Sequence, residues 1–271
     1  MFDRLKQRPT NPTSQPKLSK RNLVTLKLYV IDSHEQALNI WREQQLTNAK
    51  LLHVDFHCDQ RGLLVNRKKD QAYPIWTRFQ KVDEGNFLKH AIVEGIIGSV
   101  RWVHDIPGGR QHDIKTLKYH TDFSAFIHRI FHLFNRTPEI PYRLQTCLAN
   151  QWNQVQPGEI LDIDWDFFAA KEYSIESIPR RIEFFFNREF TVAPSQIIIC
   201  HSPEYCHPTE ALFEQFVERV KNQFSADLIR LPKTFIPRTT RSTSKLKNAL
   251  RIRARKLYHV TNLSLRRLGI Y

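Results

Sequence analysis

The sequence predicts an α/β protein in three layers, with helices on both faces of a mainly parallel central sheet. Apolar runs of strand length alternate with stretches of helical periodicity, the pattern of repeated strand-helix-strand units. Polar residues suited to ligand binding recur directly behind those runs, where an open parallel sheet gathers its ligands. The 271 residues are 41% hydrophobic and include 18 Phe, enough for a substantial core and too apolar for a disordered chain.

Residues 1–21 form a basic arm broken by Pro9, Pro12 and Pro16. The run from Asn22 to Ile31 predicts the first strand, and Asp32-Ser33-His34-Glu35 turns it into a helix with Asp32 or Ser33 as N-cap. Leu51 to Phe56 predicts the second strand, whereas residues 60–83 read as irregular, with Arg67-Lys68-Lys69 in a solvated loop. Asn86 to Ile97 has helical periodicity, and Ser99 to Val103 is strand-like, ending in His104-Asp105. Thr121 to Phe134 reads as a helix, with a strand as the alternative, and Tyr142 to Leu148 as a short strand. Glu159 to Trp165 is a buried strand after the Pro157-Gly158 turn, and Ser174 to Glu189 a helix with Pro179 in its first turn. Gln196 to Cys200 is another buried strand, ending in His201-Ser202-Pro203-Glu204; Thr209 caps a helix to about Phe224. Beyond Leu231 the pattern breaks at Pro232 and Pro237, and Lys245 to His259 reads as a basic amphipathic helix. The expected organisation is therefore a 1–21 arm, a 22–232 domain and a 233–271 basic extension that is part helical.

The net charge of +14 sits at the ends. Residues 1–21 carry six Lys/Arg against Asp3, and residues 233–271 carry eleven with no acid, which leaves −2 for residues 22–232. The extension lacks a recognised DNA or RNA module, so a nucleic-acid partner is disfavoured. No apolar segment reaches the roughly 18 residues that span a bilayer, and no signal-peptide core follows Met1, so no membrane role and a cytoplasmic location are expected. Cys58, Cys147, Cys200 and Cys206 show no Cys-x-x-Cys spacing and are expected to be free thiols.

The chemistry lies in two acidic motifs. Asp55-x-His57-x-Asp59 places two carboxylates and an imidazole at alternate positions, which an extended strand projects to one face. Asp162-x-Asp164-x-Asp166 repeats the arrangement about a hundred residues later. Either alone reads more simply as a polar strand end in solvent. Together with His34, His104-Asp105 and His201 to Glu204, they all fall at carboxyl ends of predicted strands, which share one crevice in a parallel sheet. Five or six carboxylates there raise one another's pKa unless cations neutralise them. One divalent ion balances two charges, so two divalent ions are expected, a site suited to hydrolysis.

With these residues the chain resembles the arginase-like ureohydrolases. Asp55-x-His57-x-Asp59 is similar to that family's first motif, the later Asp-x-Asp to its second, and His34 to its early histidine ligand. Asp32 to Leu38, Leu161 to Phe168 and Ser202 to Tyr205 resemble a divergent branch that includes peptide arginases, over roughly residues 23–225. The resemblance implies an arginase/deacetylase-like fold and two ions, Mn2+ by expectation. It implies His34 and Asp59 on one ion, His57 on the other and Asp55 between them. The family's small polar residue before its acidic pair aligns with Asp162, making Asp164 a second bridge and Asp166 a terminal ligand; Asp162 with Asp164 is the alternative register. Ala169 stands where the family has a third acid. The implied reaction converts arginine side chains of a ribosomal precursor peptide to ornithine with release of urea. Glu204 is the candidate for holding the guanidinium, with helix capping as its alternative role. His104 is the candidate proton shuttle, and Asp105 and His201 are candidate substrate contacts. Another two-metal hydrolase, an amidinohydrolase or phosphodiesterase, and a non-catalytic nucleic-acid binder using the basic ends are the competing readings. The oligomeric state is left open.

Overall fold

The computed structural model describes residues 25–67, 69–74, 81–104, 139–152, 154–188 and 190–232. The expected arm, the basic extension, Asp105 and the Thr121 to Phe134 element lie outside the described residues. Seven strands form the expected parallel sheet: β1 (Lys27–Ile31), β2 (Ala49–Val54), β5 (Ile97–His104), β7 (Arg143–Leu148), β8 (Glu159–Asp164), β9 (Gln196–Cys200) and β10 (Asp227–Arg230). Their spatial order is β10-β1-β9-β8-β2-β5-β7, and every pairing is parallel.

Alternation along each strand feeds two cores. Leu28, Val30, Leu52 and Val54 face one side, packed under helices α3 (Asp166–Ala169), α4 (Ile178–Phe186) and α5 (Glu210–Phe224). Tyr29, Ile31 and Leu51 face the other, under α1 (Glu35–Glu43) and α2 (Phe87–Val93). Both faces are covered, which is why β8 and β9 read as nearly unbroken apolar runs. In the first core Trp165, Phe168, Phe185 and Phe216 pack with ring centroids 4.8–5.8 Å apart.

Several local expectations are corrected. Residues 60–83, read as irregular, contain the antiparallel hairpin β3 (Leu63–Asn66) and β4 (Gln71–Pro74), which joins β6 (Ile140–Pro141) in a second sheet. Its strands are too short to show a period in a polar stretch. The expected side-chain caps do not form. Neither Asp32 nor Ser33 caps α1; the buried Gln36 side chain reaches back to accept from both of their amides, at 2.9 and 3.2 Å. Thr209 makes no cap bond to α5, because its hydroxyl is shared between Trp165 Nε1 and the His207 carbonyl. Residues Ser174 to Phe186 break into a 3-10 turn (Ile175–Ser177) and then α4, which has Pro179 in its first turn. The edge strand β10 carries no apolar alternation and was not expected. No helix among the described residues is long and apolar enough to cross a membrane.

Candidate metal centre

Strands β1, β9, β8 and β2 are neighbours, so their carboxyl ends deliver side chains to one place. On the α1/α2 face, β2 carries Leu51 and His53, with Asp55 directly after its end, and β8 carries Ile160, Asp162 and Asp164. His34, three residues beyond β1, is buried and stacks on Phe87 of α2, with centroids 4.9 Å apart. Its Nδ1 lies 3.1 Å from Asp164 Oδ2, 3.2 Å from Asp59 Oδ2 and 3.5 Å from Asp55 Oδ2.

Beyond the sheet the chain turns twice by the same device. Asp55 Oδ1 accepts the His57 amide at 2.5 Å, and Asp164 Oδ1 accepts the Asp166 amide at 3.1 Å. Each aspartate thereby folds its own backbone over, returning the residue two positions later to the crevice. Asp59 completes the first loop in the left-handed region, φ 48°. The expected strand alternation over residues 55–59 is thus corrected to a loop: β2 ends at Val54, and the last amide held by the neighbouring strand is Asp55 N on Val103 O, 3.1 Å. Ser202, also left-handed (φ 44°), donates its hydroxyl to Asp164 Oδ2 at 2.9 Å. Left-handed non-glycine residues cost about 1–3 kcal/mol each and gather where geometry is functional. His57 Nδ1 lies 2.8 Å from Asp166 Oδ2, whose partner oxygen accepts the Phe56 amide at 3.3 Å.

These side chains form three groups whose ligand atoms lie within 4.8 Å of one another: His34, Asp55 and Asp59; Asp55, His57 and Asp166; and His34, Asp164 and Cys200. His34 Nδ1 and Asp55 Oδ2 are buried with no hydrogen-bond partner among the described residues, although charged atoms surround them. Oxygen and imidazole donors converging without hydrogen-bond geometry fit a divalent cation. The electrostatics agree. Burial, then the carboxylates of Asp166, Asp59 and Asp164, drive the Asp55 carboxyl well above its ordinary pKa. Burial and Asp164 push Asp166 up to about 6, despite His57 beside it. Burial disfavours a charged His34, yet Cys200, Asp162 and Asp164 carry its pKa well above the ordinary imidazole value. The site holds more negative charge than its imidazoles balance.

The remaining expected residues among those described are not members of these groups. Asp162 is buried one step deeper, its Oδ2 2.8 Å from His53 Nδ1; burial opposes its ionisation, but His34 and His53 hold its carboxyl well below the usual range. The ligand-type groups therefore contain Asp164 and Asp166, the preferred register. His104 is buried beside Trp102 (4.5 Å between centroids), and burial, with Arg67, depresses its pKa. His201 stacks on Phe213, in the core on the opposite face of the sheet, with Nδ1 3.9 Å from Asp32. Glu204 is exposed, and its carbonyl accepts Lys171 Nζ at 2.6 Å.

His53, Cys200 and Glu84 were not expected, and Ser202 was expected only as part of the His201 to Glu204 turn. The signal for His53 was present, since it stands two residues before Asp55 on the same strand face. Cys200 had none, being an apolar strand end. Glu84 accepts the Ser33 hydroxyl at 2.8 Å beside His34, and burial raises its pKa. No protein-family description and no curated protein matches this chain, so the described geometry stands by itself as the basis for a functional reading.

Proposed function

We propose that this chain is a binuclear metal hydrolase of the arginase type, converting arginine side chains of a precursor peptide to ornithine with release of urea. One observation carries the reading: Asp55 belongs to two ligand groups at once, one with His34 and Asp59 and one with His57 and Asp166. A carboxylate has two oxygens, so a residue shared by two donor sets in this way can bridge two ions, which a single imidazole nitrogen cannot. The resemblance likewise gives His34 and Asp59 to one ion and His57 to the other with Asp55 between them, adding Asp164 as a second bridge and Asp166 as a terminal ligand, and the oxygen-rich donor set suits manganese. Two bound divalent cations supply Lewis acidity and water activation at neutral pH.

The chain's own residues do the rest. Asp166 holds the His57 ring at Nδ1, and Ser202 holds Asp164 at Oδ2. A guanidinium needs a facing carboxylate for paired hydrogen bonds. Glu204 is the motif-based candidate; Glu84 is a half-buried carboxylate that accepts the Ser33 hydroxyl beside His34 and adjoins Tyr205. The test is incubation of the purified protein with Mn2+ and arginine-containing peptides, reading ornithine by mass spectrometry and urea colorimetrically. Urea release that disappears in Asp55→Ala is the expected result. No urea from any such peptide, or undiminished release by Asp55→Ala, rejects the assignment.

A further inference from the structure

The geometry points to Asp162 and His53 as a positioning pair that orients the metal ligands from beneath, an inference that rests on the metal-centre reading. β2 and β8 pair in a register that sets His53 directly opposite Asp162. Both are fully buried. His53 Nδ1 lies 2.8 Å from Asp162 Oδ2, while His53 Nε2 lies 3.1 Å from Asp55 Oδ2. The other Asp162 oxygen, Oδ1, lies 3.4 Å from His34 Nε2. A chain of contacts thus runs from Asp55 through His53 and Asp162 to His34, joining the shared ligand to the histidine ligand.

The chemistry of the ends assigns the role. A neutral imidazole has one N–H and one lone pair, and the partner of one nitrogen decides which atom carries which. Three carboxylates converge on His34 Nδ1, so a cation held there would leave the ring proton on Nε2, the nitrogen 3.4 Å from Asp162 Oδ1. Carboxylate partners of this kind fix the tautomer and ring orientation of metal-binding histidines, and their loss weakens metal binding roughly 10–100-fold. His53 Nδ1 in turn keeps the buried Asp162 carboxylate paired, while its Nε2 lies beside Asp55 Oδ2. The first acid of Asp162-x-Asp164-x-Asp166 therefore serves by orienting ligands and not by binding the ion.

Two measurements test the pair. Metal-free protein is titrated calorimetrically with Mn2+ as the unaltered chain, Asp162→Asn, His53→Gln and the double variant. Each single change is expected to weaken binding roughly 10–100-fold, and the double variant to bind no more weakly than the weaker single, because the two act as one unit. Wild-type affinity in both single variants overturns the inference. Should the variants fail to fold, the unaltered protein decides alone. Loaded with diamagnetic Zn2+, its 15N spectrum is expected to place the His34 proton on Nε2, and a proton on Nδ1 overturns the inference. An unaltered protein that binds neither ion refutes the metal centre and the pair together, an outcome distinct from normal binding by the variants.

Discussion

In a chelating buffer the protein is expected to lose stability as the pH rises from about 4 to about 7, because its crowded carboxylates must ionise without a cation. The Asp166 carboxyl moves from an ordinary 3.8 to about 6 in the folded chain. Between those values the folded state binds more protons than the unfolded state, so stability falls through that window and stays low above it. Two units correspond to ~3 kcal/mol. Asp55 shifts in the same direction, and because the two carboxylates share one field only one shift is counted. His34 acts with the same sign: its raised pKa stabilises the fold below the unfolded value of 6.5, and that contribution is lost as the pH rises through the folded value. Asp162 acts oppositely, but its contribution is complete above its unfolded value of 3.8 and is lost only at lower pH. At roughly 2–4 °C per kcal/mol for a domain of this size, the melting temperature in EDTA falls by about 6–12 °C between pH 4 and pH 7. Mn2+ reverses the trend, since it binds deprotonated ligands and stabilises the fold more at the higher pH. Differential scanning fluorimetry at pH values across this range, with EDTA or Mn2+, reads both effects. A metal-free protein equally or more stable near pH 7, or a Mn2+ gain independent of pH, refutes the charge-crowding argument.

Three further outcomes follow from the geometry. Asp55→Ala removes the shared ligand and abolishes saturable Mn2+ binding, as equilibrium dialysis would show; retained binding of two ions excludes Asp55 as a bridge. Phe216→Ala empties the centre of the ring cluster under α5 and lowers stability by ~3–5 kcal/mol in urea titrations. In Gly98→Ala the new Cβ falls 1.7 Å from Asn48 Oδ1, at a loss of ~1–3 kcal/mol. Adding Asn48→Gly removes that side chain, suits the left-handed φ of 51° at position 48, and restores stability if the clash is the cause.

The legible elements were those whose burial is two-sided or whose amphipathicity is strong. β9 and α5 appear where the sequence places them, because a fully buried strand and a four-turn amphipathic helix each repeat their signal over many residues. The β3–β4 hairpin and β10 escaped notice because four-residue strands at an edge or in a polar stretch carry too few buried positions to set a period. The caps of α1 and α5 were misread for a related reason. Asp32, Ser33 and Thr209 have the right chemistry, but the Ser33 hydroxyl donates to Glu84 and the Thr209 hydroxyl accepts from Trp165, and packing brings those distant partners within reach.

The three-layer α/β class and the positions, just behind apolar runs, of side chains that could hold a metal are legible along the chain. Those are local properties: the period of burial along a strand and the types of residue that follow it. Which of those side chains meet depends on the folded sheet. His53 and Asp162 are 109 residues apart, and the β2/β8 register alone places them face to face. The loops that bring His57, Asp59 and Asp166 back to the crevice depend on where each strand loses its neighbours. Strand order and register are set by packing across the whole sheet, so no window of the chain contains them.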